Sequence, residues 1–269
     1  IQIKGQQIRV TLSIGFATCQ SDEGDPREVL ARADMALYHA KNAGRNRVCY
    51  DGHDSGVYAV SMAVLVQSAL QTARILPAFQ PIVELRDRRV VAEESLARIV
   101  AADGRILAAS AFIEIAEQLG LLHRIDSMLL SATADRLRSS KGSGASQLFD
   151  FVHLSGDLVR HPDILQTLAR ELDEVSKATN AAPPLVLTLN ERQISAETEQ
   201  VARALAPLLD LGCRIAVSDY GGDTSSFRFL VHLPVSFIQL DASLVRLASE
   251  SARARSILAT IQHTAQGLG

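Results

Sequence analysis

The chain has 269 residues, 47% of them hydrophobic and 21% charged, with a formal net charge of −3. That balance supports one sizeable domain or two smaller ones and gives no electrostatic footprint for duplex nucleic acid. Trp is absent and aromatic residues make up only 4%, so stacking platforms for single strands are scarce and neither DNA nor RNA is an expected partner.

The sequence opens Ile1-Gln2-Ile3, without Met and already inside a strand-like run, and its first residues do not read as a signal peptide. A start in mid-element reads as an excerpt of something longer. Residues 9–17, RVTLSIGFA, set Val10, Leu12 and Ile14 against Arg9, Thr11 and Ser13, the alternation of a half-buried strand. Asp25-Pro26 then offers an N-cap and a first-turn proline. The helix it starts carries Val29, Leu30, Ala33, Leu37 and Ala40 on its expected core face, and Gly44 closes it. RVCY at 47–50 returns as a strand.

Ser55 to Ala73 carries no charge and is long enough to span a bilayer. Ser61, Gln67, Ser68, Gln71 and Thr72 dilute it, however, and a buried connecting helix with Val60, Ala63, Val64, Gln67 and Leu70 on one stripe is the expected reading. Cys19, Cys49 and Cys213 are odd in number and widely spaced. No disulfide framework is expected, and the reducing cytoplasm is the expected location, with membrane attachment through upstream segments left open.

From Leu76 the rhythm becomes strand, helix, strand, helix. The strands expected are 78–85, 90–99, 148–154, 185–189, 214–220 and 236–240, with helices around 112–119, 125–138, 162–177, 195–211 and 251–266. Ile164, Leu165, Leu168, Leu172 and Val175 mark one helical face. Pro207 is expected to kink or interrupt the helix at 195–211. Repeated βα units point to a largely parallel sheet, either doubly wound or a (β/α) barrel. Six strands fall short of a complete barrel, which suggests that the end is missing.

VTLSIGFA (10–17) followed by ADMALYHAKNAGRNRV (33–48) resembles the C-terminal part of a GGDEF domain. In that family a Lys and an Arg near this helix help to hold nucleotide phosphates. Lys41 is the matching position, although Lys41 and Arg45 also simply complement the helix C-terminus. The family's signature turn would lie upstream of Ile1, so this half-domain is not expected to make cyclic di-GMP by itself. FQPIVEL (79–85), EESLAR (93–98), DGRIL (103–107), FIEIAEQLGLL (112–122), the strand ending HLS (153–155), SDYGGDTSSF (218–227) and LPVSFIQLD (233–241) occur in the order of an EAL domain. The resemblance implies an α/β fold, an incomplete (β/α)8 TIM-like barrel of EAL type, preceded by the C-terminal part of an α/β nucleotide-cyclase-like GGDEF domain. The expected division is 1–53 for the GGDEF part, 54–75 for a connecting helix and 76–269 for the EAL domain with its last strands missing.

Complete EAL domains resemble two-metal phosphodiesterases, in which several carboxylates converge at strand ends to hold two hard divalent cations roughly 4 Å apart. The resemblance makes Glu94 a metal ligand, with Leu96 and Arg98 contacting the dinucleotide. Glu94, Leu96 and Arg98 stand two apart and so share a strand face, and a buried Glu94–Arg98 ion pair is compatible with the same spacing. Elsewhere the pattern departs from the family. His153 replaces an Asn, Thr188 a Glu, Ser218 the first of two Asp residues, and Gln239 the Lys that positions the nucleophilic water. Of the five ligand positions Glu94, His153, Thr188, Ser218 and Asp219, only Glu94 and Asp219 are carboxylates. The family's remaining carboxylate and a catalytic-site Gln would fall beyond Gly269. His153 reads either as a transition-metal ligand with Glu94 and Asp219 or as a packed, hydrogen-bonded histidine. Asp223 replaces a loop glycine in the turn that begins Tyr220-Gly221-Gly222, which puts loop-mediated activation in doubt.

The expectation is a cyclic di-GMP signalling protein whose degenerate EAL domain lacks phosphodiesterase activity and acts as a receptor or regulatory module. Gln80, Pro81, Glu94, Leu96, Arg98, Asp219 and Asp241 are the candidate ligand-binding residues, and self-association through the EAL domain or the interdomain helix is a further expectation. No cofactor is expected, and Mg²⁺ or Mn²⁺ would enter only with residual hydrolysis. The alternatives are an active metal-dependent cyclic di-GMP phosphodiesterase and a protein-interaction scaffold with an empty pocket.

Overall fold

The computed structural model describes residues 2–3, 6–7, 11–18, 26–42, 48–51, 54–139, 148–221 and 227–268. The chain divides into two compact units, Ile1–Val64 and Leu65–Gly269.

In the first unit β1 (Gln2–Ile3) and β2 (Gln6–Gln7) pair antiparallel. β3 (Ile14–Ala17) and β4 (Val48–Asp51) pair in parallel and flank α1 (Pro26–Asn42) in sequence. The expected strand over 9–17 is confirmed only at its end, because Thr11 to Ser13 are not in the ladder. Gly15 explains how the helix lies on the strand. A Cβ there would stand 1.9 Å from the Leu37 backbone nitrogen and 2.4 Å from the Ala33 carbonyl oxygen, so only glycine admits this approach. The buried positions of α1 include Ala36 and Ala40, whereas Leu30, expected on the core face, is 65% exposed. Small side chains let the helix backbone come this close, and the stripe is rotated accordingly.

α2 (Asp54–Gln71) starts in the first unit and ends in the second. Its buried residues are Met62, Val66, Ala69 and Leu70, while Val64 and Gln67 of the expected stripe are exposed. The spacing i, i+4, i+7, i+8 is that of a helix face; Leu70 of the expected stripe lies on it, and Met62 and Val66 take the inward positions expected of Val64 and Gln67. Among the described residues no helix is long and apolar enough to cross a membrane. Arg74 fixes the helix end by donating to Ser68 Oγ at 2.7 Å, Thr72 Oγ1 at 2.8 Å and the Val100 carbonyl at 2.9 Å.

The second unit is built on one sheet of β5 (Ile75–Val83), β6 (Val90–Val100), β7 (Ile106–Ala108), β8 (Phe149–Leu154), β9 (Leu185–Asn190), β10 (Arg214–Tyr220) and β11 (Val235–Leu240). The strand order is β11-β10-β9-β8-β6-β5, with β7 also on β6. β6, β8, β9, β10 and β11 run parallel, while β5 and β7 are antiparallel to β6. The parallel strands β8, β9 and β10 are buried almost throughout, as expected for a sheet covered on both faces. β7, absent from the sequence-based expectation, occupies only three residues.

Between the strands lie α3 (Ile113–Gln118), α4 (Leu122–Ser139), α5 (Gly156–Val159), α6 (Pro162–Thr179) and α7 (Glu191–Asp210), and α8 (Ala242–Glu250) and α9 (Ala252–Leu268) follow β11. Pro162 opens α6 in its first turn, and Asn180 closes it at φ 52°. α7 begins at Glu191, earlier than expected, because Asn190 caps it by accepting from the Arg192 amide at 2.9 Å. Pro207 does not break this helix. Exposed near the C-terminus, it costs one rung of hydrogen bonding, and the departure from helical angles falls at Glu197 instead. Beneath α4, Arg136 links Glu93 at 2.6 Å to the buried Asp150 and lies 3.8 Å over the Phe79 ring. Burial pushes the Asp150 carboxyl up to about 6 against the pull of Arg136. Cys49 and Cys213 are free, with the buried Cys213 thiol pushed up to about 12 by burial; Cys19 lies outside the described residues.

Leu172 on α6 is fully buried. Leu172→Ala is expected to lower unfolding stability by about 2–5 kcal/mol, read as a lower urea midpoint at unchanged slope.

Candidate functional site

The parallel strands stack their side chains in layers. Ala92, Phe151, Val186 and Ala216 form a buried apolar cluster, with Ile82, Phe149 and Phe237 packed against it. Phe237 stands edge-on to Phe151, their centroids 5.1 Å apart. Because side chains alternate with period two, the positions two residues nearer the C-terminal strand ends are Glu94, His153, Thr188, Ser218 and Gln239. Strand β5 runs the other way, so Gln80, two before Ile82, joins the same tier opposite Glu94. His153 and Thr188 are register partners. The apolar tier is thus a floor, and the polar tier above it is the candidate site at the C-terminal mouth of the sheet.

Glu94 is half-buried and hydrogen-bonded by the Gln239 side chain. Burial raises its carboxyl above the ordinary range; the Gln239 bond opposes this and the nearby Asp219 charge adds to it. The ion pair compatible with the spacing of Glu94 and Arg98 is not formed: Arg98 Nη1 donates to the Ala97 carbonyl at 2.9 Å. Leu96 and Arg98 are half-buried on the Glu94 side of β6, while Ser95, Ala97 and Ile99 are buried on the other. Gln80 is exposed opposite Glu94, and Pro81 pairs with Glu93, which places it on the opposite face.

Simple alternation would point Ser218 and Asp219 to opposite faces. A register irregularity between Val217 and Tyr220 and a left-handed Asp219 backbone, φ 56°, change this. A bulge re-aims side chains, and Asp is among the residues that tolerate such φ values. The Asp219 carboxylate accepts from Asn190 Nδ2 at 2.6 Å and lies close enough to His153 and Glu94 to bias both. Burial holds the half-buried His153 imidazole below its ordinary value of 6.5, against the opposing pull of Asp219. Thr188 Oγ1 and Ser218 Oγ are buried with no hydrogen-bond partner among the described residues.

Asp241 does not continue the β11 face. It is the N-cap of α8, accepting from the Ser243 amide at 2.7 Å and from the Ser243 hydroxyl, and these bonds hold its carboxyl below the usual range. Lys41 is exposed near the end of α1; Arg45 and Asp223 lie outside the described residues. Sequence reasoning missed Asn190, which both caps α7 and grips Asp219, and Glu191, which accepts from the Gly221 amide at 3.3 Å. An Asn-Glu pair directly after a buried strand is the available signal, since Asn is a strong N-cap. Gly221, at φ 86°, brings the turn against α8, where a Cβ would stand 2.8 Å from Leu244 Cδ2. Tyr220, fully buried beside Phe229, has its hydroxyl pushed up to about 12 by burial and by the Glu191 charge.

The EAL domain model matches residues 64–269, and the chain belongs to the EAL family. The model of the diguanylate cyclase GGDEF domain matches residues 1–47. Among curated proteins, the bifunctional diguanylate cyclase/cyclic di-GMP phosphodiesterase MucR of Pseudomonas aeruginosa is 25% identical over 97% of this chain and 38% of its own length. The cyclic di-GMP phosphodiesterase NbdA of the same organism is 26% identical over 100% of this chain and 34% of its own. The chain therefore spans about a third of the length of the curated relatives it matches. Among solved structures, the FimX EAL domain of Pseudomonas aeruginosa bound to c-di-GMP superposes with a TM-score of 0.66 at 26% identity, covering 77% of this chain and 81% of that one. The Vibrio cholerae LapD S helix-GGDEF-EAL structure shares the fold over 93% of this chain and 60% of its own, with a TM-score of 0.73 and 18% identity.

A His whose folded value lies below its unfolded one stabilises the fold above the unfolded value, and this contribution is lost as pH falls. His153→Asn, which cannot titrate, is expected to lose less stability than the native chain between about pH 7.5 and about pH 5.5. Urea midpoints at the two pH values check this; equal losses would contradict it.

Proposed function

We propose that this chain is part of a cytoplasmic cyclic di-GMP signalling protein whose EAL domain binds the dinucleotide without hydrolysing it. The observation that carries the reading is the composition of the polar tier. The mouth gathers two carboxylates, Glu94 and Asp219, among hydroxyls, an imidazole and amides. A pair of hard divalent cations needs several anionic oxygens converging from different strands. Here Thr188 and Ser218 present hydroxyls, so Glu94, hydrogen-bonded by Gln239, and Asp219, hydrogen-bonded by Asn190, are the carboxylates of the tier. Among the described residues no three His, Cys, Asp or Glu of this tier bring ligand atoms within 4.8 Å of one another. This donor set does not fit a two-metal cage. Nor can the neutral Gln239 amide supply the positive charge of a lysine to a water.

The same tier suits a dinucleotide held in its ground state. Arg98 offers a planar fork for phosphate oxygens, Leu96 an apolar wedge between polar neighbours, and Gln80, Gln239 and Asp219 directional hydrogen bonds. The buried hydroxyls of Thr188 and Ser218 are polar groups that gain from a partner. The FimX EAL domain, described with c-di-GMP bound, supports the choice of ligand. MucR and NbdA are named as phosphodiesterases, so relationship by itself favours neither outcome.

Calorimetry on the intact protein is expected to show cyclic di-GMP binding that Arg98→Ala weakens by about tenfold or more. Chromatography with Mg²⁺ or Mn²⁺ is expected to show no linear product. Product that disappears in Glu94→Gln would establish the active enzyme instead, and absence of binding heat would leave the scaffold reading.

A further inference from the structure

Away from the polar tier, three side chains from the helical layer converge. His123 opens α4, Asp157 sits in α5, and His161 precedes α6. Their ligand atoms all lie within 4.8 Å of one another. His123 Nδ1 is 2.7 Å from Asp157 Oδ2, and His161 Nε2 is 3.9 Å from Asp157 Oδ1. The two imidazoles stack with centroids 4.1 Å apart and planes inclined by 23°. We propose that His123, Asp157 and His161 form a binding site for a single divalent transition-metal ion of the Zn²⁺ class.

Two imidazole nitrogens and one carboxylate oxygen are a borderline-soft donor set that suits Zn²⁺ and disfavours Mg²⁺ or Ca²⁺. Bonds of about 2.0–2.2 Å put the ligands of one tetrahedral ion about 3.3 Å apart. The two separations of 2.7 Å and 3.9 Å straddle that value. The Asp157 carboxylate thus stands within reach of both imidazoles for one shared ion, with the fourth position left to solvent.

The backbone beneath is already fixed. The buried Asp126 accepts from the Ser155 amide at 2.7 Å, and Ser155 Oγ accepts from the Leu158 amide at 3.2 Å, which sets the turn carrying Asp157. Asp157 Oδ2 also accepts from the His123 amide at 3.2 Å, joining α4 to α5. The His161 amide donates to the Leu158 carbonyl at 2.8 Å, while its side chain makes no capping bond to α6. Its ring is thus held in place without being used by the helix it precedes. Arg160, next to His161 in sequence, is paired with Glu197 at 2.9 Å. The three side chains are half-buried, with exposures of 20% for His123, 29% for Asp157 and 39% for His161, so an ion has access. A bound ion would staple the start of α4 to the α5–α6 turn.

The test is equilibrium dialysis of the metal-free intact protein against Zn²⁺, paired with visible absorption of the Co²⁺ form. About one ion per chain and the intense bands of tetrahedral Co²⁺ are expected. His161→Phe keeps the ring stacking without the nitrogen, and Asp157→Asn keeps an acceptor for the His123 amide. Each is expected to weaken Zn²⁺ binding at least about tenfold with unchanged far-ultraviolet circular dichroism, while Glu94→Gln leaves it unaltered. Absence of uptake by the native protein would overturn the proposal. So would uptake that survives both variants, or uptake that depends on Glu94. None of these readouts involves cyclic di-GMP, so failure here and failure of the dinucleotide reading are distinguishable.

Discussion

The register of the parallel strands is the constraint from which the site follows. Once Phe151 packs with Ala92, Val186 and Ala216, period-two alternation leaves no choice about the next tier. Glu94, His153, Thr188, Ser218 and Gln239 must rise together at the strand ends, and a slip of one residue on β6 or β8 could put Glu93 or Asp150 in the floor. The chemistry of the mouth is therefore set by which five residues occupy these positions. With two of the tier's surrounding groups anionic and the rest neutral, the mouth is polar without being strongly negative. On the proposed reading, this surface accepts the phosphates of a dinucleotide beside Arg98, whereas a dense ring of carboxylates would require cations to do so.

Much of this was legible in the residues. The alternation of strand and helix from Leu76 onward gives the sheet, the motifs give the order of the site positions, and simple spacing puts Glu94, Leu96 and Arg98 on one side of β6. What escaped detection depends on tertiary contacts. Gly15 lies against the α1 backbone, and only the folded approach shows why Ala36 joins the expected Ala40 on the inward face while Leu30 does not. The antiparallel entry of β5 cannot be read from its composition, yet it is what sets Gln80 opposite Glu94 and Pro81 on the far side. Asp241 looks like a further strand residue until the start of α8 gives it a cap to form.

The bulge in β10 is the clearest case of local structure that alternation cannot anticipate. Asp219 reaches the mouth because its backbone is left-handed, an arrangement that costs on the order of 1–2 kcal/mol for a residue with a Cβ. The Asn190 amide offsets part of that cost by binding the carboxylate, and Asn190 is itself immobilised as the cap of α7. One amide side chain thus couples a helix start to a strained strand residue.

On the proposed reading, too few anionic oxygens converge at this mouth to cage two cations. Anomalous diffraction from crystals of the intact protein soaked in Mn²⁺ measures this most directly. No pair of neighbouring peaks is expected between Glu94 and Asp219. Two strong peaks about 4 Å apart at that position would contradict it.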